Sequence, residues 1–222
     1  MRHPGLRRVR AALAILRRSA FALAAASSLV LAACSSAPPV RVHTLMAGES
    51  PLPAAGAAAQ PALVVVLEPV SVPAQVDPPQ WLVRLPDDSL AVLEQERWAS
   101  PLRDELRQAL LEVLVVRYGV VDARAAGPGA VPLRVGVDVR RFDSIPGREA
   151  RIEGSWTIVA TDSRASGSRC EWLFREAAAG GMPALAAAHR RAVARLGDAL
   201  GDNLVRLRRG EAPMCPARDP PL

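Results

Sequence analysis

Few side chains in this 222-residue sequence are of a type and spacing that could do chemistry. It holds three cysteines, Cys34, Cys170 and Cys215, and three histidines, His3, His43 and His189. No Cys-x-x-Cys or His-x-x-x-His spacing is present, so no metal-ligand pattern emerges. There is no Gly-x-Ser-x-Gly elbow to expose a serine nucleophile. There is no phosphate loop of the Gly-x-x-x-x-Gly-Lys-Ser/Thr type, so any nucleotide hydrolysis belongs to another chain. Asp87-Asp88 and Asp104-Glu105 are paired acids. A turn and a helix N-terminus account for them better than acid–base catalysis does. His43 falls in an expected strand and His189 on an expected helix, where packed or solvated roles outweigh those of a ligand or base.

Cys34 stands apart. Residues 1–18 carry Arg2, Arg7, Arg8, Arg10, Arg17 and Arg18 and no acid, and residues 19–33 carry no charge. A basic segment, an apolar run and a small-residue end make an export signal. The run is shorter than the roughly 20 residues that span a bilayer. Leu31-Ala32-Ala33-Cys34 resembles the bacterial lipoprotein box. That resemblance implies cleavage before Cys34 and acyl chains on its thiol and its new N-terminus, and several chains anchor stably where one does not. Ser35, rather than an aspartate, follows the cysteine, which implies the outer membrane.

The formal charge of +6 and pI near 10.7 suggest a nucleic-acid binder at first sight. The signal, however, holds six of the 28 basic residues and none of the 22 acidic ones, so the rest of the chain is balanced. No nucleic-acid partner is expected. Every base is arginine, and the arginines are scattered. Cys170 and Cys215 remain as thiols. An extracytoplasmic compartment permits a disulfide, which would close a loop of about 45 residues worth on the order of 4 kcal/mol. Two unpaired thiols are the alternative, since spacing cannot place the Cα atoms within reach.

The elements that must position these residues follow from periodicity. Val40–Leu45 alternates weakly as a strand, and Ala47–Pro61 reads as a loop. Ala62–Val72 is a buried strand in which Pro69 marks a bend or end. Trp81–Leu85 and Ser89–Leu93 flank Pro86-Asp87-Asp88 as a hairpin. A helix then starts with Ser100 as N-cap and Pro101 at the first helical position, with Leu102, Leu106, Leu110, Val113 and Leu114 on one face and Gly119 at its end. Ala123–Ala130 is a loop. Strands at Leu133–Arg140, Ile152–Ile158 and Arg169–Arg175 form a meander, with turns at Ser144–Gly147 and Thr161–Ser168. A last helix runs from Pro183 to about Arg208, with Val193, Leu196, Leu200, Leu204 and Leu207 as its apolar stripe. The expected fold is α/β, with α+β as the variant: one domain, a mixed sheet and two main helices packed on it. The organisation is a signal over 1–33, a lipidated tether over 34–39, the domain over 40–208 and a proline-rich tail over 209–222.

Val76–Leu102, VDPPQWLVRLPDDSLAVLEQERWASPL, carries a family resemblance. Asp77-Pro78-Pro79-Gln80, the following Val83-Arg84 and Arg97-Trp98-Ala99-Ser100-Pro101-Leu102 are similar to the PqiC-like family of ABC-transport auxiliary lipoproteins. Arg140-Arg141-Phe142-Asp143 and Gly154-Ser155-Trp156 resemble later strands of that family. The departure is at Val42-His43-Thr44-Leu45, where the family often has a Tyr-Tyr-x-Leu-like element. The resemblance implies a non-enzymatic outer-membrane subunit without cofactors. Its partners would be an MCE-domain protein that bridges the periplasm and inner-membrane transport components, its anchor the phospholipid membrane, and its plausible form a homo-oligomer. A small cell-envelope hydrolase with an unrecognised site is the alternative from another class. Of the four tryptophans, Trp98 and Trp156 read as core. Trp81 and Trp172 are candidates for a partner surface, since exposed aromatics mark interfaces, with core packing as the equal alternative.

Overall fold

In the computed structural model, which describes residues 38–46, 48, 63–127, 132–160 and 167–222, the chain from Val40 onward builds two sheets and two helices. Strands β1 (Arg41–His43), β3 (Gln80–Arg84) and β4 (Leu90–Trp98) form a small sheet in the order β1-β4-β3. Strands β2 (Leu63–Leu67), β5 (Val120–Asp122), β6 (Leu133–Ile145), β7 (Glu149–Ala160) and β8 (Ser168–Ala177) form a large one, β5-β2-β6-β7-β8. The expected hairpin, meander and both helices are present, and parallel and antiparallel pairings mix in both sheets. Helix α1 spans Leu102–Tyr118 and α2 Met182–Arg208. The expected signal and most of the expected loop Ala47–Pro61 and turn Thr161–Ser168 lie outside the described residues.

Several boundaries differ from the expectation, each for a local reason. The strand in Ala62–Val72 ends at Leu67, because Pro69 has no N–H to give the ladder. The chain still follows β6 there, through Glu68 N–H to Val135 O and Ser71 N–H to Val137 O. β6 continues through Ile145, so Ser144 lies buried in a strand rather than in a turn. A shift in register between Val139 and Arg141 bends it there. β5 is three residues long, too short for its alternation to show. Ser100 does not cap α1. Pro101 holds the cap position with extended backbone, and Ser100 Oγ donates instead to Glu105 Oε1 at 3.1 Å. The first turn is satisfied from outside: Asp77 O accepts from Leu102 N–H and Asp77 Oδ1 from Arg103 N–H. That gives the Asp77-Pro78-Pro79-Gln80 segment a concrete task.

The two helices approach closely because α2 carries Gly197 and Gly201 one turn apart. A Cβ on Gly197 would lie 2.7 Å from Val113 Cγ1, and one on Gly201 would lie 2.5 Å from the Tyr118 ring. Tyr118 Oη donates to Asp198 O at 2.9 Å and sits 3.0 Å from Asp202 Oδ1. Within the large sheet, Trp172 lies across Gly154, its register partner on β7. A Cβ at Gly154 would be 2.1 Å from Asp138 O and 2.6 Å from the Trp172 ring.

The small sheet, the large sheet and α2 meet in one aromatic junction. Trp81 and Trp98 lie 4.2 Å apart between ring centroids, His43 meets Trp81 edge-on at 4.9 Å, and Phe142 stacks on His189 at 4.1 Å. Trp81 Nε1–H donates to Ser144 Oγ at 2.8 Å, and Ser144 Oγ is 2.8 Å from His189 Nε2. Burial pushes His189 down to about 3, opposed only by the Asp143 charge, so its imidazole is neutral.

Two expectations follow. Gly154→Ala costs about 1–3 kcal/mol in denaturant unfolding, as overpacking does, while Gly48→Ala, with open space around its Cβ, changes stability by less than about 0.5 kcal/mol. The second concerns pH. In the unfolded chain His189 takes a proton near pH 6.5, and in the folded chain only near 3. Its contribution is complete above pH 6.5 and is lost as pH falls, at about 1.4 kcal/mol per unit. Between pH 6.5 and 5 the wild type therefore loses about 2 kcal/mol more than His189→Gln does, measured by urea unfolding of both.

Candidate functional site

The side chains that combine as reactive groups do are Ser144 and His189, a hydroxyl within 2.8 Å of an imidazole nitrogen. β6 supplies the serine, three residues beyond the bend that turns its end toward the small sheet, and α2 supplies the histidine from its sheet-facing side. Both are buried, at 1% and 0% exposure. Trp81 occupies a lone pair of the hydroxyl, and His189 Nδ1 has no hydrogen-bond partner. A nucleophile–base pair needs a path for substrate and a third group to orient the base. This pair is buried and no group orients His189 through its Nδ1, so its geometry suits a packed hydrogen-bond chain.

The other residues singled out from the sequence disperse. Cys34 lies outside the described residues. Cys170 and Cys215 are joined, with an S–S distance of 2.04 Å and Cα atoms 5.3 Å apart. Trp81 and Trp172 are 1% and 0% exposed, so the expectation that they form a partner surface is corrected. Strand alternation turns Trp81 to the inner face with Val83, and Trp172 fills the space that Gly154 leaves open. Asp87 serves the hairpin turn, accepting from Ser89 Oγ at 2.6 Å, which holds its carboxyl below the usual range. Glu105 is buried and accepts from Thr44 Oγ1 at 2.7 Å and Leu45 N–H at 2.8 Å, tying the chain after β1 to α1. Among the described residues no group of three or more His, Cys, Asp or Glu could hold a metal ion.

Two features were not legible as sites. One is a cleft of about 200 Å³ between β3 and β6, lined by Val76, Leu82, Arg84, Arg141, Phe142 and Asp143 among others. Asp143 there meets Arg151 at 2.6 Å, Arg84 at 3.2 Å and Arg141 at 3.5 Å. Burial pushes its carboxyl up, but the Arg84 hydrogen bond and the Arg151 charge outweigh that and hold it below the usual range. Arg84 and Arg141-Phe142-Asp143 were visible as motif matches, but their convergence requires β3 to lie beside β6. The same pattern recurs at Glu96, where burial is outweighed by hydrogen bonds from Arg41 and His43. The second feature is the outer face of the small sheet, which exposes Val42, Leu90 and Val92.

The comparisons with known proteins agree with this architecture. A family model described as the ABC-type transport auxiliary lipoprotein component matches residues 44–201. No curated protein matches the chain. The crystal structure of an uncharacterized protein is similar with a TM-score of 0.59 and 16% identity, over 74% of this chain and 98% of that one. A Xanthomonas campestris protein is similar with a TM-score of 0.51 and 19% identity, over 78% and 96%. At such identities the likeness concerns the fold. The family match begins just after β1 and spans β3, β4, the bent meander and most of α2, and the chain belongs to the family of ABC-type transport auxiliary lipoprotein components.

Proposed function

We propose that this chain is the outer-membrane lipoprotein subunit of an MCE-type intermembrane lipid transport system. It docks the periplasm-spanning MCE-domain component and performs no catalysis. The observation that carries the reading is the family match over residues 44–201, directly downstream of Leu31-Ala32-Ala33-Cys34. Among the described residues no helix is long and apolar enough to cross a membrane, which suits attachment through lipid on Cys34. Ser35 after the cysteine supports outer-membrane residence, and a homo-oligomer presenting a shared docking surface is the form proposed. The Trp81 N–H donates to the Ser144 hydroxyl and both Ser144 and His189 are buried, which supports a structural role for the pair.

The test separates anchor from partner. Cys34→Ala is expected to lose acyl-lipid labelling and to leave the outer-membrane fraction, while the wild type co-purifies with its MCE-domain partner from solubilised envelopes. Ser144→Ala is expected to keep partner binding and envelope resistance to detergent when the protein is expressed at the same level. Loss of barrier function by a folded, partner-bound Ser144→Ala variant would overturn the non-enzymatic reading. Full labelling of the Cys34→Ala variant would overturn the anchor.

A further inference from the structure

The exposed large apolar side chains of the described residues concentrate in one place. Of eight, Val40, Val42, Leu85, Leu90 and Val92 belong to the small sheet, its hairpin turn and the residue leading into β1. The remaining three, Val159, Met214 and Leu222, lie elsewhere in the chain. Register places Val42, Leu90 and Val92 on one side. Val42 pairs with Arg97, which pairs with Gln80, and Leu82 and Arg84 follow Gln80 by alternation, opposite Val92 and Leu90. The other side holds Trp81 and Val83 and is buried. The small sheet therefore has one face in the aromatic junction and one that exposes Val42, Leu90 and Val92 to water.

The length of chain ahead of β1 says what meets that face. Cys34 lies six positions before Val40, and six residues reach at most about 20 Å. A chain acylated at Cys34 holds β1 within that distance of the bilayer in every orientation. The local concentration of lipid at this sheet is then high, so a contact too weak to recruit a free protein still selects an orientation. Val42 is 63% exposed and Val92 52%, and Arg97 stands beside Val42 with a stem and head suited to the headgroup boundary. Glu94 and the Asp87-Asp88 turn are exposed nearby acids, and they fit a zwitterionic surface better than a strongly anionic one. An exposed apolar patch on a tethered protein marks a membrane or protein contact, and the tether favours the membrane.

We infer that the outer face of the β1-β4-β3 sheet is the side on which this protein rests on the phospholipid bilayer, with Val42, Leu90 and Val92 in the interfacial region. The inference rests on the Cys34 anchor proposed above. It adds an orientation: the cleft at Asp143, lined by Leu82 and Leu90, lies at the border of the membrane-facing side.

The test uses the full, acylated chain in vesicles of phosphatidylethanolamine and phosphatidylglycerol. Cys34 is acylated and Cys170 and Cys215 are joined, so an introduced cysteine is the free thiol. Val42→Cys, Val92→Cys and, as reference, Val159→Cys at the far end of β7 are labelled with an environment-sensitive fluorophore. Lipid-borne spin labels are expected to quench positions 42 and 92 at least twofold more than 159, with blue-shifted emission. Equal quenching at the three positions, with Cys34 acylation verified by intact mass, overturns the inference. So does protection of thiols 42 and 92 in lipid-free detergent oligomers, which would assign the face to a second copy. Absence of acyl mass on Cys34 overturns the anchor reading and the inference with it.

Discussion

The Trp81 indole N–H that donates to Ser144 joins the small sheet to the bent end of β6 at the centre of the aromatic junction. Trp81 belongs to a three-stranded sheet too small to bury a core alone. Ser144 belongs to the bent end of β6, and His189, the next member of the hydrogen-bond chain, to the long C-terminal helix. An indole N–H buried without an acceptor is costly, and so is an unmatched hydroxyl. The chain Trp81–Ser144–His189 settles both at once and fixes the height at which the small sheet sits against the large one. The stacked Phe142 and His189 and the Trp81–Trp98 pair fill the space around it.

The needs of this junction give Ser144 and His189 structural roles. A neutral histidine and a doubly engaged serine are required for a dry interior, and each would have to be solvated to act on a substrate. The charged groups are placed by the same logic. At the rims of the junction Asp143 is met by Arg84 and Arg151, and Glu96 by Arg41 and His43. Arginine suits these places because its planar fork can serve one carboxylate while its stem packs on apolar neighbours. The polar interior is thus spent on assembling the fold, and a transport auxiliary role places function on surfaces.

Those surfaces are unequal. The edge strand β8 is covered by the tail, whose Asp219 N–H donates to Leu173 O, whose Asp219 carboxylate takes Arg175 N–H and Arg195, and whose Cys215 is joined to Cys170. An uncovered edge invites strand pairing with another chain, and the tail removes that option on this side. The small sheet has no such cover on its outer face among the described residues. The described residues therefore present one guarded sheet edge at β8 and one exposed face on the β1-β4-β3 sheet.

Periodicity alone determined both helices and the meander, because alternation in Leu133–Val139 and the leucine spacing in Leu102–Leu114 are local properties of the chain. The hairpin followed from Pro86-Asp87-Asp88, whose turn chemistry is equally local. The split into two sheets was not legible, since a strand's pattern records that one face is buried and not against which neighbour. The helix cap illustrates the same limit: Ser100 has the right chemistry at the right position, yet Asp77, 25 residues before Leu102 in the chain, takes the amides because β3 and β4 fold it back there. Trp81 and Trp172 were misjudged for that reason too. Whether an aromatic side chain faces a partner or a core depends on what tertiary packing lays over it, here His43, Trp98 and Ser144 for one and the bare backbone of Gly154 for the other.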